Sequence, residues 1–160
     1  MHTISALITT LRVAPAVLAL VGTLAAAPGP ASADATDDYP IPHRLLGTTC
    51  TVDQYMAAAR DVEPIYYERY MIDYNNRPTD VEDAARDRVY WFFSLDYAAR
   101  RQYSEDTATN VYYEQVATRW SNWAKLFFNN KGAAAHATDV CAHYPPQDPG
   151  VWIWGPNLRS

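Results

Sequence analysis

Between Val111 and Asn129 the chain reads VYYEQVATRWSNWAKLFFN, and its large apolar residues recur at Tyr113, Val116, Trp120, Trp123 and Phe127. Spacings of three, four and seven place these, with Ala117 and Ala124, on one broad face of a predicted helix. Glu114, Gln115, Thr118, Arg119, Ser121, Asn122, Lys125 and Asn129 fall on the other side. The same period runs through the preceding sequence. Thr51 with Gln54 forms a capping box that opens a helix reaching about Asp61, with Val52, Tyr55, Met56 and Ala59 on one face. Pro64 fits a first helical turn but not a helix interior, so a second helix starts there and presents Tyr67, Tyr70, Met71 and Tyr74. After the loop Asn75–Pro78, Thr79 with Glu82 is a second capping box, and the helix beyond it turns Val81, Ala84, Ala85, Val89 and Phe92 inward. Leu95–Tyr103 continues helical, with a break at Ser94 or at Ser104. Gly132 stands where a left-handed residue ends the Val111–Asn129 helix, and Ala133–Ala142 is a short Ala-rich helix bearing Cys141. The predicted fold class is all-α, a compact bundle of four to six helices with Val111–Asn129 at its centre.

The first residues do not fit this pattern. Arg12 is followed by an uncharged apolar run, Val13–Ala27, then Pro28-Gly29-Pro30 and the A-x-A sequence Ala31-Ser32-Ala33. That is the layout of a signal peptide over residues 1–33, cleaved between Ala33 and Asp34. The run falls short of the roughly 20 residues that span a bilayer, so no transmembrane segment is expected in the mature chain. Residues 34–47 read as an irregular lead, 48–144 as the helical domain and 145–160 as a tail rich in Pro and Trp. The tail's Val151-Trp152-Ile153-Trp154 is too apolar to stand in water, so it lies across the helices or forms a contact surface.

Export changes the reading of the cysteines. Cys50 and Cys141 are the two in the sequence, and in an oxidising compartment such a pair predicts one intramolecular disulfide. Two free thiols or an intermolecular bridge are the alternatives. Charge narrows the partners. All 18 acidic residues follow the cleavage site, and 12 of the 13 basic ones do, giving the mature chain 12 − 18 = −6. Nucleic acid would be repelled.

Candidate chemistry is sparse. G-x-S-x-G, H-E-x-x-H, P-loop and C-x-x-C motifs do not occur. No catalytic residue and no metal set is therefore assigned. His136 and His143, seven apart, would share a helical face and are the candidates for a haem ligand, but they lack the third ligand a zinc site needs. The 12 Tyr, 5 Trp and 4 Phe stand out, because neighbours such as Tyr112 and Tyr113 diverge by about 100° on a helix and cannot all face one core line. Tyr112, Phe128, Trp152 and Trp154 are the candidate interaction surface.

Thr48-Thr49-Cys50, Gln54, Ala57-Ala58 and Pro64 resemble the opening of mycobacterial haemophore-like proteins. That resemblance implies a helical exported protein with one disulfide joining the first helix to the C-terminal part, and, in some members, haem binding. Tyr103–Tyr113 and Gly132–Cys141 more closely resemble an uncharacterised family of small secreted mycobacterial (actinobacterial) proteins, which implies no activity, cofactor or catalytic residue. The expectation is a non-enzymatic binding or interaction protein of the cell envelope or medium. Its partner would be a protein or a hydrophobic small molecule. The alternative is a carrier of haem or another hydrophobic ligand.

Overall fold

Thr51 starts the helix on which the others pack. Its backbone N–H donates to Gln54 Oε1 at 2.9 Å, and its Oγ1 accepts from the Gln54 N–H at 3.2 Å, which satisfies two donors that a helix start leaves open. The computed structural model describes residues 40–110 and 112–155. The expected signal peptide, its Ala33–Asp34 cleavage site and Val111 lie outside the described residues.

Among the described residues there are seven α-helices and no strand. They are α1 (His43–Gly47), α2 (Val52–Val62), α3 (Pro64–Tyr74), α4 (Thr79–Ser94), α5 (Tyr97–Thr109), α6 (Gln115–Arg119) and α7 (Lys131–Val140). Two 3₁₀ turns follow, Cys141–His143 and Pro149–Trp152. The all-α class stands, with two of the seven helices only five residues long.

The centre of the fold is α2, which packs on α3, α4, α7 and both 3₁₀ turns. Ala57, Ala58 and Ala59 are fully buried, as are Ala134 and Ala137 of α7. Small side chains on both sides let the two backbones approach closely. The Cys50–Cys141 disulfide, Cα–Cα 6.1 Å, lies just before α2 and just after α7, clamping that pair.

The predicted Val111–Asn129 helix is not formed. Only Gln115–Arg119 is helical, and residues 121–128 are a run of tight turns, with bonds such as Trp123 N–H to Trp120 O (3.1 Å) and Phe127 N–H to Ala124 O (2.9 Å). Two causes act together. The carbonyls of Leu126 and Trp123 accept buried hydroxyls, Tyr55 at 2.9 Å and Tyr70 at 2.8 Å. In addition, Trp120, Trp123, Ala124, Leu126, Phe127 and Phe128 are all buried, more than one helical stripe can bury, so the backbone unwinds to turn both sides inward.

Smaller departures have local reasons. Residues 43–47 of the expected irregular lead form α1, because Ile41, Leu45 and Leu46 are core residues. Thr79 is the first residue of α4 and not its cap; Pro78 O receives the N–H groups of Val81 and Glu82 instead. The chain breaks after Ser94, where Asp96 caps α5 by accepting the Ala99 N–H at 2.8 Å, and Ser104 lies buried inside α5. Gly132 belongs to α7, which Asn130 caps through the Ala133 N–H.

The tail lies across the helices. Thr51 Oγ1 donates to Pro146 O (2.8 Å), Gln54 Nε2 to Tyr144 O (2.9 Å) and Tyr67 OH to Val151 O (2.7 Å). The Asp148 N–H donates to the buried Asp53 carboxylate (2.9 Å), which also accepts the Tyr90 hydroxyl.

Candidate interaction surface on the third helix

Pro64 fixes where α3 begins and so which side chains face where. One face, Tyr67, Tyr70, Met71 and Tyr74, enters the core. The opposite face repeats the same three-four-seven spacing as Ile65, Glu68, Arg69 and Ile72. Ile65 is 61 % and Ile72 48 % exposed, with Tyr66 and Val62 exposed beside them. A single exposed isoleucine needs no explanation, but two on one stripe of an 11-residue helix make an apolar strip. Arg69 forms no hydrogen bond or ion pair among the described residues, whereas Asp73 one turn on is engaged by Arg77 and by Trp120 Nε1 at 2.8 Å.

A cleft of about 150 Å³ runs beside the strip, between α3 and the turns that replace the predicted long helix. Tyr66 and Arg69 line one wall, Asn122 and Lys125 the other. Lys125 also has no ion-pair partner among the described residues. Arg69 and Lys125 thus meet across a cleft that Asp73 also lines, next to exposed apolar side chains.

The residues singled out from sequence do not assemble into one surface. Tyr112 is 74 % exposed. Phe128 is buried, its ring 4.9 Å from Phe92 and 5.5 Å from Trp123 between centroids; the unwound backbone turns it into the core. Trp152 is buried as well and donates Nε1–H to Tyr90 OH at 3.2 Å, and Trp154 lies edge-on to Tyr67 at 6.2 Å. His136 pairs with Glu63 on α7's exposed side. His143 lies beyond the end of α7 in the 3₁₀ turn, so the two histidines do not share a helix, and neither lines the cleft beside α3. No group of three or more His, Cys, Asp or Glu among the described residues is arranged to hold a metal ion. Ile65 and Ile72 were not among the residues picked from sequence. Their seven-residue separation marks them, but the stronger tyrosine stripe on the same helix masks it.

Buried polar groups elsewhere are satisfied within the fold. Glu114 accepts Tyr103 OH at 2.7 Å, Arg88 Nε at 2.8 Å and the Val116 N–H at 2.9 Å. Burial, then the Glu114 carboxylate, pushes the Tyr103 hydroxyl well above its ordinary value. Burial also raises Tyr55 and Tyr70, and burial followed by the bond to Asp53 takes Tyr90 up to about 12. A raised folded-state value means folding favours the protonated form. The contribution is complete below the unfolded tyrosine value of about 10 and is lost as pH rises through the folded value. The unfolding midpoint is therefore expected to hold up to about pH 9–10 and to fall above it. Tyrosinate absorbance of the buried set should rise together with loss of helical circular dichroism, and a rise well ahead of unfolding would contradict this assignment.

Among the described residues no helix is long and apolar enough to cross a membrane. Residues 36–154 match the model of a protein family described as a domain of unknown function, DUF5078. No curated protein matches the chain.

Proposed function

We propose that this chain, which belongs to the DUF5078 family of domains of unknown function, is an exported, non-enzymatic interaction protein that engages a protein partner through the outer face of α3. The observation that carries the reading is the doubly apolar character of α3, with Tyr67, Tyr70, Met71 and Tyr74 spent on the core and Ile65 and Ile72 left outside. Helix faces of this kind, with anchors at spacings of three, four and seven, are a recurrent way for proteins to dock on one another. Export to the envelope or medium is supported by the layout of residues 1–33 and by the disulfide. Similarity to secreted mycobacterial proteins over Tyr103–Tyr113 and Gly132–Cys141 points the same way.

The reading is tested by carbene footprinting of the protein isolated gently from culture supernatant, compared with the same protein diluted until it is free. Ile65, Tyr66 and Ile72 are expected to be protected in the native isolate, with Tyr112 labelled equally in both. Equal labelling of α3 in the two samples would reject it.

A further inference from the structure

We infer that the cleft between α3 and the turns of residues 121–128 binds a small aromatic carboxylate, with its charge held between Arg69 and Lys125 and its ring on the apolar floor. This goes beyond the docking reading and does not depend on it, since the cleft can be filled whatever lies on the isoleucine strip.

Polar groups along the cleft divide by whether the fold already engages them. Most of the acceptors are engaged. Asp73 takes Arg77 on one carboxylate oxygen and Trp120 Nε1–H, at 2.8 Å, on the other. Leu126 O accepts the Tyr55 hydroxyl at 2.9 Å, and Asn130 Oδ1 accepts the Ala133 N–H at 3.0 Å. The donors are open. Arg69 and Lys125 have no side-chain partner among the described residues, and capping α7 through Oδ1 leaves Asn130 Nδ2 unused. The amides of Asn122 and Asn129, also without partners among the described residues, can turn either end inward. Two open cations and an open amide donor, beside a carboxylate already neutralised by Arg77, call for an anion.

Shape and lining give the rest of the ligand. Tyr70 and Leu126 line the cleft and are buried, so they form its floor. The Tyr70 hydroxyl is turned away to Trp123 O at 2.8 Å, which leaves ring and aliphatic surface for a ligand. Tyr66, 44 % exposed, adds a second ring at the rim. The volume of about 150 Å³ is that of a cavity that takes a single benzene ring, and ring against ring favours an aromatic body over an alkyl one. A carboxylate meets a guanidinium through two parallel hydrogen bonds and an ammonium as a point charge. Arg69 therefore orients the group and Lys125 adds attraction. Inorganic phosphate would satisfy the cations and leave the floor wet, and a neutral ring would cover the floor and leave the cations open.

The test is titration of the disulfide-bonded protein with sodium benzoate, read by calorimetry and by the NMR shifts of α3 and residues 122–130. Benzoate is expected to bind with a dissociation constant of about 1 mM or tighter. Benzyl alcohol and acetate, which carry the ring and the charge separately, should bind at least about tenfold more weakly. R69Q and K125Q should each weaken benzoate binding by about fivefold or more, and R69Q/K125Q should abolish it. Both side chains are exposed, and an unchanged helical signal and unfolding midpoint check that the variants fold. R44Q, which removes a cation paired with Asp139, should leave binding as it is. No response to benzoate up to about 10 mM, tenfold past the expected constant, overturns the inference. So does acetate binding as tightly as benzoate, which would reduce the site to a surface ion pair. Benzyl alcohol binding as tightly as benzoate, or an R69Q/K125Q protein that binds unchanged, would remove the role of the cations and overturn it too. Protection of Ile65 and Ile72 in the native isolate is read separately, so the docking reading and the ligand site stand or fall apart.

Discussion

Replacing Arg100 with methionine is expected to cost the folded chain about 3–5 kcal/mol, at the top of the range for single substitutions. Arg100 is 4 % exposed, and its guanidinium gathers five carbonyls. Nε donates to Phe92 O at 3.2 Å, Nη2 to Phe93 O at 2.7 Å, and Nη1 lies 2.7 Å from Thr48 O, 3.0 Å from Leu45 O and 3.4 Å from Leu46 O. Those oxygens end α4 and α1, where a helix leaves carbonyls without intrahelical partners and a positive charge is favoured. One side chain thereby joins α1, α4 and α5, and the rings of Phe92 and Phe93 stand 5.4 and 5.6 Å from its central carbon. Methionine keeps much of the stem's packing and leaves the oxygens buried without donors. Lysine keeps the charge but cannot span the set from a single ammonium, so Arg100→Lys should recover only part of the loss. Urea unfolding measures both variants; a methionine variant within about 1 kcal/mol of wild type would mean that water replaces the guanidinium, contrary to its burial.

Removing the disulfide, as Cys50→Ala with Cys141→Ala, is expected to lower stability by about 4–5 kcal/mol on the chain-entropy account, given the 91-residue separation. The position of the bridge adds a spatial prediction. It closes the alanine interface between α2 and α7, and α7 brings few large side chains of its own to the core. Without the bridge, amide exchange should rise first in residues 131–152, while α4 and α5 stay protected by the Arg100 contacts. Cys141 is fully buried and Cys50 nearly so, so a reductant should act slowly on the native protein and rapidly in denaturant. Equal unfolding midpoints for bridged and unbridged protein would show that the bridge holds nothing together.

Much of the fold is legible where the controlling chemistry is local. Thr51 and Gln54 cap α2 through groups three residues apart, Pro64 forces a new helix, and two cysteines have one intramolecular pairing. The segment from Val111 to Asn129 has the clearest helical period and folds otherwise. Its carbonyls at Trp123 and Leu126 are taken by hydroxyls 53 and 71 residues away, and periodicity carries no record of such partners. The same limit applies to the candidate surface. Phe128 stands off the main helical face and Trp152 in a tail that either covers the helices or makes a contact surface, and tertiary packing brings both in. Ile65 and Ile72 stay out because the tyrosines opposite them fill the available core. Exposure there depends on which of two stripes the neighbours cover, and that is settled by the whole fold.

The strapped tail has a consequence for the order of events on the ribosome. Contacts that complete the environment of α2 and its cap join residues 90 and 95 positions apart, as at Gln54–Tyr144 and Thr51–Pro146, and the Tyr67–Val151 bond spans 84. A nascent chain makes the central helix early and must synthesise some ninety further residues before its covering arrives. Until then the apolar face of α2 stays available to chaperones, and the domain cannot close piecemeal from its N-terminal side. That delay keeps the chain open until its last segments follow the first.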